Sequence, residues 1–231
     1  MNRYIRQVNL PEIGEEGQEK LKKAKVLIVG VGGLGSPIAL YLAAAGVGTL
    51  GLIDDDVVSL SNLQRQVLYV ENEVGEPKVD CAKRRLKSLN SSLIVNKYNC
   101  RLTSNNVDEL IANYDVVVDG CDNYETRYAI SDACMKYRKP YIYAAIAGFE
   151  GQVSVLCAGE TPKSYRDLFP DNSSEPKKSS DSIAVLGTTP AVVGSVQTNE
   201  TIKLIAGFGE PLIGKLWTVD LRNLQTYIFS L

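Results

Sequence analysis

A short apolar, β-branched run, Lys25-Val-Leu-Ile-Val29, ends directly in Gly30-Val-Gly-Gly-Leu-Gly35, and an alanine-rich stretch follows to Ala45. The order is strand, tight turn, helix. A second apolar run, Thr49 to Ile53, ends in Asp54-Asp55-Asp56, which completes a β-α-β unit within the ~30 residues such a unit takes. Glycines at positions 30, 32 and 35 let the backbone approach a phosphate closely and place it at the positive end of the following helix. The chain is thereby committed to parallel strands with helical crossovers, and ligands of such sheets sit outside the carboxyl ends of the strands.

The pattern continues. Lys78 to Leu89 predicts a helix with Val79, Ala82, Leu86 and Leu89 on one side, and Asp115 to Asp119 predicts a buried strand that carries Gly120-Cys-Asp-Asn123 at its end. Tyr124 to Arg138 predicts another helix. The expected class is α/β: a doubly wound, Rossmann-like, mostly parallel sheet. After Tyr141–Ala147 the rhythm changes, since Gly151–Leu156, Lys215–Asp220 and Leu224–Phe229 predict strands with little helix between the last two. Antiparallel strands are therefore expected at the C-terminal end of the sheet. Residues 158–181, rich in Ser, Pro, Lys and Asp, predict a mobile crossover loop, and the uncharged stretch from Ser182 to Asn199 predicts a packed helix.

Composition excludes several classes. Twenty-five basic residues against 27 acidic ones leave no field suited to nucleic acid or to a membrane surface. The first 24 residues lack an apolar signal core, and no run approaches the roughly 20 apolar residues of a membrane span, so a cytoplasmic protein is expected. Five cysteines, scattered singly, predict reduced thiols. The chain has no histidine, which removes the commonest general base and metal ligand.

Asp54 ends the second strand where a carboxylate can hydrogen-bond a ribose hydroxyl. Beyond it, Asn62, Arg65 and Lys78 are delivered beside the same crevice. A dinucleotide's phosphates are held by a glycine loop and helix dipole, whereas ATP brings more negative charge to neutralise, so the surplus cations favour ATP over solvated surface positions. Asp122 has two readings: a carboxylate for a Mg²⁺ that bridges phosphates, or, equally with Asn123, a cap for the helix at Tyr124.

The ordered set Arg3-Tyr-Ile-Arg-Gln7, the glycine loop, Ile53-Asp-Asp-Asp56, Ser59-Leu-Ser-Asn-Leu-Gln-Arg-Gln66, Gly75-Glu-Pro-Lys78, Asp119-Gly-Cys-Asp-Asn123, Glu150-Gly-Gln-Val153 and Val185 to Gln197 resembles the ThiF/MoeB/HesA group of E1-like adenylyltransferases over nearly the whole chain. The resemblance implies ATP- and Mg²⁺-dependent adenylation of the C-terminal Gly-Gly carboxylate of a ubiquitin-like sulfur-carrier protein, with release of pyrophosphate. It implies an ATP and Mg²⁺ site at Gly33, Asp54, Asn62, Arg65, Lys78 and Asp122, within a wider nucleotide-binding set of Gly30, Gly32, Gly35, Asp56, Ser61, Leu63, Gln64, Gln66 and Asn123. It also implies a homodimer in which Arg6 reaches the partner subunit's site. One domain over residues 1–231 is expected: an N-terminal arm and helix (1–23), a nucleotide-binding part (24–147) and a carrier-binding part (148–231). The chemistry suits a chain without histidine, because a C-terminal carboxylate with a pKa near ~3.5 is already ionised at neutral pH and needs no general base.

Two features depart from the group. Many relatives hold zinc between two Cys-x-x-Cys pairs; here Ser164 and Asp167 occupy the first pair's positions and no second pair follows, so no zinc is expected. Some relatives carry a loop cysteine that links covalently to the carrier; its equivalent falls at about Ser180, and a hydroxyl cannot replace a thiolate there. The reaction is expected to stop at the acyl-adenylate. A thiamin-thiazole carrier is the first candidate, a molybdopterin-type carrier the second, and a tRNA-directed activity the weakest. The competing classes are a nicotinamide-binding oxidoreductase, which the glycine loop and Asp54 alone would serve, and a catalytically silent module that docks a ubiquitin-like partner.

Overall fold

The computed structural model describes residues 3–170 and 184–231. Two helices, α1 (Ile5–Val8) and α2 (Gly14–Lys23), precede the first β-α-β unit: β1 (Lys25–Val29), α3 (Gly35–Ala45) and β2 (Thr49–Ile53). There follow α4 (Lys78–Leu89), β3 (Ile94–Tyr98), α5 (Val107–Ala112), β4 (Val116–Asp119), α6 (Tyr124–Tyr137) and β5 (Tyr141–Ala147). The C-terminal part consists of β6 (Glu150–Leu156), α7 (Tyr165–Leu168), α8 (Thr188–Ala206), β7 (Lys215–Asp220) and β8 (Gln225–Ser230). The strands form one eight-stranded sheet in the order β3-β2-β1-β4-β5-β6-β7-β8. The first five are parallel, and β6, β7 and β8 are added antiparallel, as the change of rhythm after Ala147 predicts.

Successive side chains of a strand point to opposite faces, and β1 supplies both cores in this way. Val26 and Ile28 join Ile38 and Leu42 of α3, Val79 and Leu86 of α4 and Val193 of α8. Leu27 and Val29 join Val107 and Ile111 of α5 and Ile130 and Cys134 of α6. Helices thus cover both faces, which is why the central strands β1, β2 and β4 run almost continuously buried, whereas the edge strand β3 exposes Ile94, Asn96 and Lys97. The edge strand β8 lies outside either core, with Tyr227, Ile228 and Phe229 all exposed.

One helix differs from expectation. The stretch predicted as helical from Ser182 to Asn199 begins its helix only at Thr188 and continues to Ala206. The preceding residues are held in an extended bridge, since Gly148 N–H donates to Ala184 O and Leu186 N–H to Gly148 O. Pro190 is tolerated in the first turn, where its missing N–H would have had no helical partner. Charge does not end the helix either, because Glu200 accepts from Leu212 N–H and pairs with Lys203; the left-handed Gly207 does. Residues 158–170 of the expected crossover loop are described and include α7, while residues 171–181, with Ser180, lie outside the described residues. No described helix is long and apolar enough to cross a membrane.

Candidate functional site

The carboxyl ends of β1, β2 and β4 meet at a cavity of about 1390 Å³. Its floor is made by backbone-to-backbone contact that only glycine allows. A Cβ on Gly30, whose φ is +86°, would lie 2.5 Å from Gly120 O, and one on Gly35 would lie 2.1 Å from Gly30 O. Gly30 therefore lines the cavity while locking two loops together, and Gly35, which does not line it, seats α3 on β1. Gly32 and Gly33 line the cavity and have room for a methyl group: a Cβ on Gly33 would meet Pro190 and Arg65 at ordinary contact distances of 3.4–3.6 Å.

Asp54 pins this loop. Its Oδ2 accepts from Val31 N–H at 2.8 Å and its Oδ1 from Asp56 N–H at 2.9 Å. Burial raises its pKa, against the opposing pull of Lys78 and of these two N–H groups. Lys78 opens α4; its side chain is buried, and its Nζ lies 2.8 Å from Oδ2 of the largely exposed Asp56. A buried ammonium needs such a partner, and the Lys78 N–H also donates to Asp56 O. Arg65 and Asn62 line the cavity, Arg65 with its Nη1 donating to Ser61 O at 3.1 Å. Gln66 is buried in the wall, its Oε1 without a hydrogen-bond partner among the described residues. Ser61, Leu63 and Gln64 lie on the same 3-10 segment and turn but outside the lining. The carboxylates of Asp54, Asp55 and Asp56 lie within 4.8 Å of one another.

At the end of β4 the two readings of Asp122 separate. Asn123 is the helix cap, its Oδ1 accepting from Thr126 N–H at 2.9 Å. That leaves the Asp122 carboxylate exposed at the cavity, with a long 3.5 Å contact from Asn123 Nδ2. Arg6, on α1, is exposed and is not among the residues lining this cavity. At the positions where relatives of the resembled group carry cysteines, Asp167 Oδ2 accepts from the N–H and Oγ of Ser164 and closes the first turn of α7.

One group escaped the sequence reading. Arg127 of α6 is buried and pairs through Nε with Oδ2 of the fully buried Asp119, at 3.0 Å. Tyr141 OH donates to the same oxygen at 2.8 Å. The available signal was an aspartate ending the apolar run Val116-Val-Val118, since a carboxylate so placed requires a buried counter-charge. Burial, and then the Asp119 charge, push the Cys121 thiol well above its usual range, so it is not a thiolate at neutral pH. From the glycine loop the cavity extends past Ala145–Ala147 to Gln152, Thr218 and Tyr227 on β6, β7 and β8.

The sequence matches the model of the ThiF family over residues 4–231. It is 47% identical over 227 residues, 95% of this chain and 83% of the other, to a sulfur carrier protein adenylyltransferase of Thermus thermophilus. It is 44% identical, over 92% of this chain and 56% of the other, to a probable molybdopterin-synthase adenylyltransferase of Porphyra purpurea. It is 46% identical, over 99% and 49%, to the adenylyltransferase and sulfurtransferase MOCS3 of Arabidopsis thaliana. The chain thus spans about half the length of these last two. Among solved structures, Escherichia coli MccB with MccA-N7isoASN superposes with a TM-score of 0.88 at 25% identity, over 99% of this chain and 71% of that one. PaaA gives 0.85 at 26%, over 99% and 72%. With its whole described sheet inside the matched span, this chain belongs to the ThiF family.

Proposed function

We propose that this chain is an ATP-dependent adenylyltransferase that activates the C-terminal carboxylate of a ubiquitin-like sulfur-carrier protein ending in Gly-Gly. The observation that carries the reading is the convergence on one cavity of open glycine backbone (Gly32, Gly33), a loop-pinning carboxylate (Asp54), a buried ammonium (Lys78), a guanidinium (Arg65) and a free carboxylate (Asp122). The attacking carboxylate is already ionised at neutral pH, so the protein need not remove a proton. The task left to it is to hold the triphosphate and offset charge as the α-phosphate is attacked in line. Lys78 and Arg65 serve that end, with Arg6 supplied by the partner in a homodimer. Gly30 and Gly35 set the loop's shape, and Asn62 and Gln66 complete the wall.

Magnesium fits the donors present: Asp122 is free of capping, and the Asp54–Asp56 carboxylates are clustered beside Lys78. Mg²⁺ takes one or two carboxylates together with phosphate oxygens, and when bound it supplies further charge neutralisation. No zinc is part of the proposal, because Ser164 and Asp167 offer no thiolate or imidazole. The end of the cavity along β6, β7 and β8 is assigned to the carrier's C-terminal segment. Of the carriers, the thiamin-thiazole type is placed first; the Porphyra relative's name puts a molybdopterin-type carrier beside it. The cell compartment proposed is the cytoplasm.

The test is ATP–pyrophosphate exchange with a panel of Gly-Gly carriers, together with intact-mass analysis of each carrier. One carrier should gain an adenylyl group. Absence of exchange with every carrier, or NADH binding in place of ATP, would overturn the proposal.

A further inference from the structure

We infer that Arg127 is a positioning residue that, through Asp119 and the Cys121 carbonyl, sets the loop carrying Asp122; the inference rests on the functional reading above. Asp119, at the end of β4, is wholly buried, and its carboxylate accepts four hydrogen bonds. Oδ2 takes Arg127 Nε (3.0 Å) and Tyr141 OH (2.8 Å), and Oδ1 takes the N–H (2.9 Å) and Sγ (2.8 Å) of Cys121. Arg127 Nη2 donates in turn to Cys121 O (2.9 Å) and to Ala144 O (3.1 Å) of β5. Cys121 is therefore gripped at its amide by one member of a buried ion pair and at its carbonyl by the other.

The residue after it is Asp122, whose side chain has a single long hydrogen bond among the described residues. Its direction is thus inherited from the backbone at Cys121. On the far side the loop is closed by the Asn123 cap. Gly120 leaves no slack, because a Cβ there would sit 2.2 Å from Gly30 O, so a shift of this loop passes directly to the glycine loop.

Stability alone does not account for the pair, since well-packed apolar side chains of similar volume often serve as well as a buried ion pair. What a guanidinium adds is a rigid planar fork that holds the carboxylate on Nε and the two carbonyls on Nη2, whereas an ammonium offers its three N–H groups from a single atom and cannot keep that spread. A misplacement of about 1 Å at a reacting centre costs on the order of 10²-fold in rate.

The test compares wild type with Arg127→Lys, which keeps the charge and loses the fork. Carrier-dependent exchange should lose about 10²-fold in kcat while KM for ATP stays within about threefold. In nucleotide-free protein, alkylation of Cys121, followed by peptide mass mapping, should quicken about tenfold as the loop loses a hydrogen bond, with Cys134 and Cys157 unchanged. Asp119→Asn, nearly isosteric, probes the pair from the other side and should give the same pattern if Arg127→Lys does not fold. Wild-type kcat in a folded variant would overturn the inference. So would a fall in kcat with Cys121 labelling unchanged, or a rise in labelling at all the buried cysteines together, the mark of a merely structural role. If wild type shows no exchange with any carrier, the functional reading fails and the labelling arm alone decides whether Arg127 sets the loop.

Discussion

Alanine at Gly35 and alanine at Gly33 perturb the same loop by different mechanisms. At Gly35 the new methyl group would lie 2.1 Å from Gly30 O and 3.0 Å from Gly30 C, against about 3.3 Å for an ordinary C···O contact. Both contacts are backbone, so no rotamer change relieves them. Overpacking of this kind costs about 1–3 kcal/mol. A 2.1 Å contact with backbone belongs at the upper end of that range, and the helix preference of alanine over glycine returns up to about 1 kcal/mol, which leaves a loss of about 2 kcal/mol and a fall in Tm of roughly 4–8 °C for a chain of this length. At Gly33 the nearest atoms are Pro190 Cβ at 3.4 Å and Arg65 Cγ at 3.6 Å, with no left-handed backbone to strain. Stability should stay within about 0.5 kcal/mol of wild type. The methyl group would stand against Arg65 on backbone that lines the cavity assigned to phosphate, so ATP affinity should fall at least about tenfold, or about 1.4 kcal/mol. Thermal unfolding by circular dichroism and calorimetric ATP titration separate the two effects. Gly35→Ala melting with wild type would refute the steric argument, and Gly33→Ala binding ATP undiminished would refute the assignment of phosphate to this loop.

Three further outcomes are expected. Lys78→Met should leave stability within about 1 kcal/mol, since its partner Asp56 is 68% exposed and water takes over its solvation; exchange should drop about 10²-fold to 10³-fold by analogy with lost oxyanion donors, and retention of near-wild-type exchange would remove Lys78 from the site. Asn123→Ala should cost about 1 kcal/mol in urea unfolding as a lost helix cap, whereas Asp122→Ala should spare stability and lower exchange; the reverse order would exchange their roles. Burial pushes the Cys157 thiol up to about 12 from an ordinary value of 9.0. A folded-state pKa above the unfolded one stabilises the protein below the unfolded pKa, and that contribution is lost as pH rises from about 9 towards 12, by at most ~1.4 kcal/mol per pH unit for one proton. Cys157→Ala should accordingly lose less stability than wild type between those limits, and parallel curves would show that folding does not raise this thiol's pKa.

Much of the architecture was legible because its signals are local. The glycine spacing, the apolar runs and the aspartates that end them specify strand, turn and helix within a few residues. The limits of α8 were not legible, because they depend on distant partners: the bridge from Gly148 to Ala184 and Leu186 holds back the start, and the bonds of Glu200 to Leu212 and Lys203 let charge ride inside the helix. Composition alone could not anticipate either.

The candidate site divides in the same way. That the chain would bring glycine backbone, carboxylates and cations to the carboxyl ends of parallel strands follows from order and spacing, which the sequence by itself determines. Which glycine has room for a side chain and which has none was decided by the tertiary structure, through the close approach of Gly120 to Gly30 and the ordinary contact distance of Pro190 from Gly33. So was the choice of Asn123 over Asp122 as cap, and the pairing of Arg127 with Asp119 across β4 and α6. The physical reason is that periodicity and spacing report one chain segment at a time, whereas steric exclusion and the need of a buried charge for a partner act between segments that only folding brings together.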